Sequence, residues 1–290
     1  MARSSFKKEQ LVRMGTLTLR LLPVLLLAGC ANLGYAADAP AAPVTSDKSA
    51  DWHWQHRENE KDLRTAIALF EQDFARQPSV DLCNQLCRAY YLLADYYLED
   101  NAEAQAPVQA KAVRCALKGL KLQKGAEELI GDDACPSADA IAHVDKEHAG
   151  PLFWWAAHFG RWMGQKNLIT QLVYRGRFVA ALERVQKLDD TIFGGSLYRT
   201  WGAYYAHMGD REKAYASFDR AAELAPPVLI TRIMYAKECG LRWKDKGLYV
   251  KQLQLALKEP EPDIAEILPE FRMERARAQR MLEQADKLFK

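Results

Sequence analysis

The segment from residue 195 to residue 228 constrains the fold of this chain most, because small and bulky residues alternate in it at helical spacing. Gly202 and Ala214 are small enough to let two helices approach closely, and Phe218 is large enough to fill the gap between them. Gly209 can supply the left-handed turn that ends a helix. The pattern is completed by further ring-bearing, small and terminating residues: Tyr198, Trp201, Tyr205, Asp210, Ala221 and Pro226. The segment predicts two antiparallel helices joined by a tight turn.

This arrangement resembles a tetratricopeptide repeat, and other parts of the chain predict more helices of the same kind. Ala66, Phe70 and Pro78 fit the second helix of a leading half-repeat. Apolar residues three and four apart predict further helices over 80–98, 106–122, 151–164, 166–189, 228–243, 246–258 and 263–289. Residues 125–149 are irregular, as in an insertion, and Gly176 is a candidate turn or kink. We predict an all-α fold, a tetratricopeptide-like stack of antiparallel helix pairs (an α-solenoid).

The start of the chain has the pattern of an export signal. Basic residues up to Arg20 precede a short apolar run, residues 21–27, which cannot span a bilayer. The sequence Leu-Ala-Gly before Cys30 resembles a bacterial lipobox, in which the chain is cut before the cysteine and acyl chains such as palmitate are attached. An ordinary secretory signal cut near Ala37 is the alternative.

These features divide the chain into three parts. We interpret residues 1–29 as a lipoprotein signal peptide, 30–50 as the lipidated cysteine with a flexible Pro/Ala-rich linker, and 51–290 as the helical repeat domain. Alanine rather than aspartate follows the cysteine, at position 31, and this resembles the sorting signal for the outer membrane. We therefore expect a lipid-anchored protein on the periplasmic side of the outer membrane of a Gram-negative bacterium.

Charge and motif content argue against nucleic-acid binding and catalysis. The formal charge is +2, and removing the predicted leader, which carries +4, leaves −2. Such a balance does not favour nucleic acid. The sequence contains no HExxH, CxxCH, GxSxG, P-loop or strand-linked GxGxxG pattern. We predict that the protein is not an enzyme, has no cofactor and binds no nucleic acid.

Five cysteines follow the predicted lipidation site, and export would permit disulfides among them: Cys83, Cys87, Cys115, Cys135 and Cys239. Cys83 and Cys87 lie four residues apart on one helix face, from which each could reach Cys115 or Cys135. The alternative is that Cys115 and Cys239 are small apolar core residues. The pairing stays open, and we predict no metal site because no second pair has zinc-site spacing.

Two groups of residues are candidates for a ligand or partner face. The first is an aromatic cluster at helical spacing: Trp154, Trp155, Phe159 and Trp162. Such residues usually form the core, and the alternative is that some line an apolar cavity. The second group, with Arg199 and His207, lies on the inner face of the helix that begins at 195, where tetratricopeptide stacks bind partners. A free Arg199 could pair with a carboxylate; otherwise it is solvated or bound within the stack.

The last predicted helix carries a run of charges: Glu270, Arg272, Glu274, Arg275, Arg277 and Arg280. Charged residues usually cover the solvent-facing side of a helix, and the terminal helix of a stack needs a polar outer face. We interpret the run as a solvated face or a cap on the stack.

The order of motifs resembles the TatT family, the T component of tripartite ATP-independent periplasmic (TRAP) transporters. The resemblance rests on five stretches of the sequence: LLADYYLED at 92–100, LFWWAA at 152–157, GDREKA at 209–214, YAKE at 235–238 and the closing segment 275–289. It implies a periplasmic lipoprotein of repeat pairs, a possible homotrimer, that pairs with the solute-binding P component. It further implies that the protein binds or passes small organic acids with apolar tails. The alternative is an interaction scaffold in envelope assembly.

Overall fold

The computed structural model describes residues 44–130 and 135–290, and within these ranges the chain forms helices and loops without a β-strand. The predicted leader and Cys30 lie outside the described residues. The α-helices of the described ranges are α1 (Ala50–Gln55), α2 (Glu60–Arg76), α3 (Val80–Leu92), α4 (Ala102–Leu120), α5 (Ala138–His143), α6 (Ala149–Gly164), α7 (Leu168–Leu188), α8 (Ile192–Met208), α9 (Arg211–Leu224), α10 (Ile230–Tyr235), α11 (Lys246–Lys258), α12 (Leu268–Glu283) and α13 (Ala285–Leu288). The all-α prediction is confirmed.

Polar caps set where most of these helices begin. A side-chain oxygen at the cap accepts a hydrogen bond from a backbone N–H that would otherwise lack a partner. The capping residues of this type are Ser49, Asn59, Ser79, Asn101, Ser137, Asn167, Asp210 and Asp245. The cap also explains a boundary error, because α4 begins at Ala102 rather than 106. The Asn101 side chain accepts from the Ala104 N–H at 3.0 Å and starts the helix early.

Consecutive helices pack against one another and build a stack with one large core and two smaller ones. The principal neighbours are α3 with α4, α4 with α6, α6 with α7, and α8 with α9, followed by α11 with α12. The largest core runs from α1 to α8, and a separate core joins α10, α11, α12 and α13. A gap separates these two cores, and the third and smallest core lies mainly between α8 and α9.

The α8–α9 pair is built as its sequence predicts. A Cβ atom at Gly202 would lie 2.7 Å from the Phe218 ring, so only glycine allows this approach. Gly209 ends α8 with φ of 78°, and the Asp210 side chain caps α9 through the Lys213 N–H at 3.1 Å. The small residue, the bulky residue and the terminator thus fulfil the predicted roles.

The first turn of α8 is not regular helix. Phe193, Gly194 and Gly195 all have positive φ, at 47°, 57° and 74°. A Cβ atom at Gly195 would lie 2.9 Å from the Ala221 carbonyl oxygen, so the turn packs tightly on α9. Left-handed backbone at the bulky Phe193 is strained, and such strain persists only where the surroundings hold it in place. The regular part of α8 therefore begins at Ser196, near the predicted start at 195.

Two helices widen into π turns at their ends. Residues Leu93–Tyr97 continue α3 in π geometry, and Ala236–Leu241 do the same for α10. The predicted helices 80–98 and 228–243 are therefore each part α and part π. A π turn changes the direction of the side chains that follow it and often marks a functional site. The first of these turns carries Asp95 and Tyr96.

The candidate kink at Gly176 is absent, because α7 runs through it without interruption. A glycine inside a helix costs about 1 kcal/mol relative to alanine. Tyr174 and Phe178 are buried on either side of it, and their burial is worth about 1.5–3 kcal/mol each. The free energy gained by burying these two rings therefore exceeds the cost of Gly176 inside the helix.

The predicted insertion and the predicted last helix both differ in their bounds. The segment 125–149 contains the short helix α5 and ends with the first residue of α6, although 131–134 lie outside the described residues. The helix predicted over 263–289 begins only at 268, after a short 3-10 turn, and its main part ends at 283. Pro269 favours this start because proline fits the first turn of a helix.

The interpretation of the α12 charges as a solvated face or a cap is wrong for three of them. Glu270, Glu274 and Arg277 are buried, whereas Arg272 and Arg280 are exposed. The buried charges have partners 178 to 213 residues away in sequence, namely Arg57, Arg88, Tyr96 and Glu99. The sequence gives no sign of these contacts. In the described ranges no helix combines the length and the apolar composition needed to cross a membrane.

Candidate functional site

A cavity of about 710 Å³ lies between the two larger cores, that of α1–α8 and that of α10–α13. Its walls come from α1, α3, α6, α8, the segment before and within α10, and α12. These elements meet there because α12, at the end of the chain, packs back toward the first helices. The size is typical of a small-molecule site, which is usually about 300–1,000 Å³.

One wall of the cavity is aromatic. The ring centroid of Trp154 lies 5.3 Å from that of Phe193 and 6.1 Å from that of Tyr91. Phe153 lies 5.6 Å from Phe193, so the strained first turn of α8 holds the Phe193 ring against α6. Offset and tilted rings at these separations attract one another and form a rigid apolar surface.

Arg161 lies beside this apolar wall and forms an ion pair with Asp95. Its guanidinium binds Asp95 through two contacts, at 2.6 and 3.1 Å, and lies over the Tyr91 ring at 4.5 Å. Burial alone would lower the pKa of Arg161, but the Asp95 carboxylate raises it above its usual value. A forked pair of this kind fixes both groups and leaves Arg161 little capacity for another anion.

Arg199, a buried arginine of the cavity, has no carboxylate of the described residues in contact with it. Its guanidinium donates to the Gly194 carbonyl at 2.8 Å, to the Thr231 hydroxyl at 3.3 Å and to the Ser196 hydroxyl. All three acceptors are uncharged, and Arg199 forms no ion pair with any residue in 44–130 or 135–290. Burial lowers the pKa of Arg199, because a charge removed from water without a counter-ion is costly.

Glu274 lies in the same cavity and also lacks an opposite charge in contact. It accepts hydrogen bonds from the Ile230 backbone N–H at 2.8 Å and from the Tyr96 hydroxyl. Burial raises the pKa of Glu274 to about 7. The site therefore contains a permanently charged guanidinium together with a carboxyl group that exchanges its proton near neutral pH.

Two further carboxylates of the cavity, Glu266 and Glu270, are paired with arginines. Glu270 binds Arg57 at 2.5 Å and Arg88 at 2.6 Å, and Arg88 also binds Glu266 at 2.7 Å. The Arg57 and Arg88 guanidinium groups lie over the Trp54 ring at 4.2 and 5.1 Å. This network joins α1, α3 and α12 across one end of the cavity, and its charges balance internally.

The structure brings together some of the candidate residues and separates others. Trp154 and Arg199 both line the cavity. Trp155 and Phe159 are buried in the core, with stacked rings 4.8 Å apart. His207 lies on the exposed end of α8, where its Nε2 is 2.9 Å from Arg242 and 3.4 Å from Glu238.

Sequence reasoning missed three functional candidates. Arg161 could have been found from the sequence. Apart from His158, it is the one residue of the Trp-rich segment 149–164 that can carry a charge. Phe193 could not, since its role depends on a left-handed turn that two glycines only suggest. Glu274 was assigned to a solvated face, and its partner Tyr96 lies 178 residues away.

This arrangement can bind a ligand with two different parts. An apolar aromatic wall faces one guanidinium whose charge is not balanced by contact, and nearby Glu274 can gain or lose a proton. A ligand with an apolar part and one negative charge matches these two features.

Comparison with known proteins identifies the family of the chain. No curated protein sequence matches the chain significantly. A family model described as "TRAP transporter T-component" matches residues 94–289, about two thirds of the chain. The match covers α6, α8 and α12, which carry Arg161, Arg199 and Glu274. The chain therefore belongs to the TRAP transporter T-component family.

Proposed function

We propose that this protein holds a small organic acid with an apolar portion in the cavity between its two larger cores, as a step in TRAP transport. The observation that carries the proposal is Arg199, a buried guanidinium whose contacts are all to uncharged acceptors. A ligand carboxylate would supply the missing counter-charge. The family membership supports a role associated with TRAP transporters.

The proposal follows from the energetics of burial. Arg199 is about nine-tenths buried without any ligand, so the empty protein already bears most of the cost of taking the guanidinium out of water. A carboxylate that binds Arg199 gains a charge-assisted hydrogen bond without a further large penalty on the protein side. The apolar part of the ligand would pack on Trp154 and Phe193 and gain about 25 cal/mol for each Å² of apolar surface buried.

Arg199→Ala is expected to weaken binding of octanoate, used as a probe, by at least about 30-fold, because loss of one partner of a buried charge pair costs 2 kcal/mol or more. Arg199→Lys should give an intermediate affinity, since it keeps the charge and loses the forked geometry. Isothermal titration calorimetry measures all three proteins.

The matched controls are Arg220→Ala and octanol. Arg220 is exposed on α9 and contacts Glu223 at 3.5 Å, away from the cavity, so this variant should bind octanoate like the wild type. Octanol has the same chain without the charge and should bind the wild type weakly. Equal octanoate affinity in Arg199→Ala and the wild type, with both folded by circular dichroism, would exclude Arg199 as the anion site.

Partners are proposed from the family. We expect the solute-binding P component to dock on the protein and the protein itself to form a homotrimer. Four residues at the start of α7 support a protein contact there, because they are apolar and exposed: Leu168, Ile169, Leu172 and Val173. His207 remains a proposed partner residue at the exposed C-terminal end of α8. Light scattering of the chain, alone and mixed with a P component, tests both proposals. A chain that is monomeric alone and forms no complex with the P component would refute them.

The proposed location is the periplasmic side of the outer membrane, with lipid on Cys30. Its support is the lipobox resemblance together with the family membership. Mass spectrometry of the mature protein should find an acylated amino end at Cys30. An unmodified end at Ala37 would show instead that the leader is an ordinary secretory signal.

An interaction scaffold is the less supported alternative. A scaffold needs an open concave groove, whereas this stack folds α12 back over α3 and forms a cavity whose charges converge inward. The family description, a TRAP transporter component, favours a transport role. We therefore assign the cavity a binding role.

A further inference from the structure

Three cysteine side chains converge in the core at a place separate from the cavity. Cys83 and Cys87 lie one turn apart on α3, and Cys115 lies on α4. Their sulfur atoms are all within 4.8 Å of one another, and the exposed fractions of the residues are 0%, 0% and 6%. The absence of a second cysteine pair in the sequence argued against a metal, but α4 supplies the third sulfur.

The spacing suits a three-coordinate metal ion. Metal–sulfur bonds of about 2.3 Å around a trigonal centre place the sulfurs about 4 Å apart. The observed limit of 4.8 Å requires only small rotations of the side chains to reach this value. Neither backbone needs to move, because both helices are already packed against each other.

The number and type of ligands select the ion. Zinc in structural sites takes four ligands, and no fourth histidine, cysteine or carboxylate joins the three sulfurs within the described ranges. Thiolates are soft ligands that favour Cu(I). Three sulfurs without a fourth ligand therefore fit Cu(I) better than zinc.

The surroundings hold the sulfurs in place. The Cys83 thiol donates to the Cys115 carbonyl at 3.4 Å, and the Cys87 thiol donates to the Ala112 carbonyl at 3.7 Å. Gly119 of α4 packs directly on Cys83, so that a Cβ atom there would come within 2.3 Å of the sulfur. The close helix approach that this glycine allows is what brings Cys115 to α3.

Disulfide formation is the competing chemistry, and geometry limits it. Cysteines four apart in a helix have Cβ atoms about 5–6 Å apart, longer than the roughly 3.8 Å of a disulfide. Cys83 and Cys87 therefore cannot pair without unwinding α3. A disulfide would have to join Cys115 to one of them and leave the other as a thiol.

We propose that Cys83, Cys87 and Cys115 bind one Cu(I) ion between α3 and α4. Each sulfur that coordinates as a thiolate forms a bond to copper and releases its proton to solvent, and no electron is transferred. The site is distinct from the cavity, because Asn84, Arg88 and Tyr91 of α3 face the cavity while the two cysteines face α4. Copper and organic acid would thus be bound by different faces of one helix.

Titration of the reduced full chain with Cu(I), in detergent without oxygen and against a coloured Cu(I) chelator, tests the proposal. We expect one copper to be retained per chain. Cys87→Ser and Cys115→Ser should each weaken retention by at least about 100-fold, because loss of a direct ligand exceeds the 10–100-fold typical of outer-shell changes. Gly119→Ala should also weaken it by displacing Cys83. Cys239→Ser, a buried cysteine outside the cluster, should bind copper like the wild type.

X-ray absorption of the copper-loaded wild type keeps the test independent of any variant's folding. We expect a first shell of three sulfurs. A shell dominated by nitrogen or oxygen would overturn the proposal, and so would copper loss in Cys239→Ser equal to that in Cys115→Ser. A disulfide between Cys115 and either α3 cysteine in the chain isolated from the envelope would also overturn it.

Discussion

Glu270→Gln is expected to lower the free energy of unfolding by about 3–5 kcal/mol, the usual cost of breaking a buried ion pair. The Arg57 side chain is 1% exposed, and Glu270 is the carboxylate nearest to it at 2.5 Å. The amide keeps the shape of the side chain and removes its charge, so Arg57 would be left buried with Glu266 only at 4.0 Å. Urea denaturation at constant pH measures the change.

Glu261→Gln makes the same chemical change at an exposed pair. Glu261 binds Arg272 at 2.9 Å, with both side chains about half exposed, so the change should cost no more than about 1 kcal/mol. A similar small loss in Glu270→Gln would mean that the network joining α1, α3 and α12 does not hold the end of the cavity together.

The second large effect is a pH dependence of stability that comes from Glu274. Burial raises its pKa from the ordinary 4.5 to about 7, so the native state holds a proton over this interval that the unfolded state has released. The stabilisation is complete below about pH 4.5, falls as the pH rises and is lost above about pH 7. At 1.36 kcal/mol per pKa unit the total is about 3 kcal/mol.

Glu274→Gln should remove this slope, because the amide resembles the protonated acid at every pH. We expect the variant and the wild type to be similarly stable at pH 4.5, and the variant to be more stable by about 3 kcal/mol at pH 8. Glu283→Gln, at an exposed position of the same helix, should follow the wild type. Urea denaturation across this range gives the comparison, and parallel curves for Glu274→Gln and the wild type would contradict a raised pKa.

The α8–α9 pair shows which part of the fold can be predicted from sequence. Gly202, Phe218, Gly209 and Asp210 act through neighbours within 20 residues, so their spacing alone defines the packing, the turn and the cap. A helix start that depends on one capping residue, such as Asn101, can also be predicted from the sequence if the capping residue is taken as the start signal.

The cavity shows which part cannot be predicted. Glu274 is buried because Tyr96 and Ile230 meet it, and Tyr96 reaches it from the π turn that ends α3. Periodicity indicates that a helix exists, but it does not indicate which other helix covers each face. Arg199 was selected because the repeat pattern identified its face, whereas Glu274 had no repeat pattern to place it.

The cysteine cluster illustrates the same limit in a second place. The spacing of Cys83 and Cys87 was visible, and Cys115 was considered as a disulfide partner. That all three sulfurs meet depends on the approach of α4 to α3 at Gly119. A three-membered site assembled from two helices has no spacing signature in the sequence.

Native mass spectrometry of the full chain purified from cells tests the central claim most directly, because it weighs whatever the cavity retains. We predict that the wild type carries one small acidic molecule per chain and that Arg199→Ala, folded by circular dichroism, carries none. A wild type that arrives empty and takes up no octanoate, or an Arg199→Ala protein that retains the same molecule, would contradict the account.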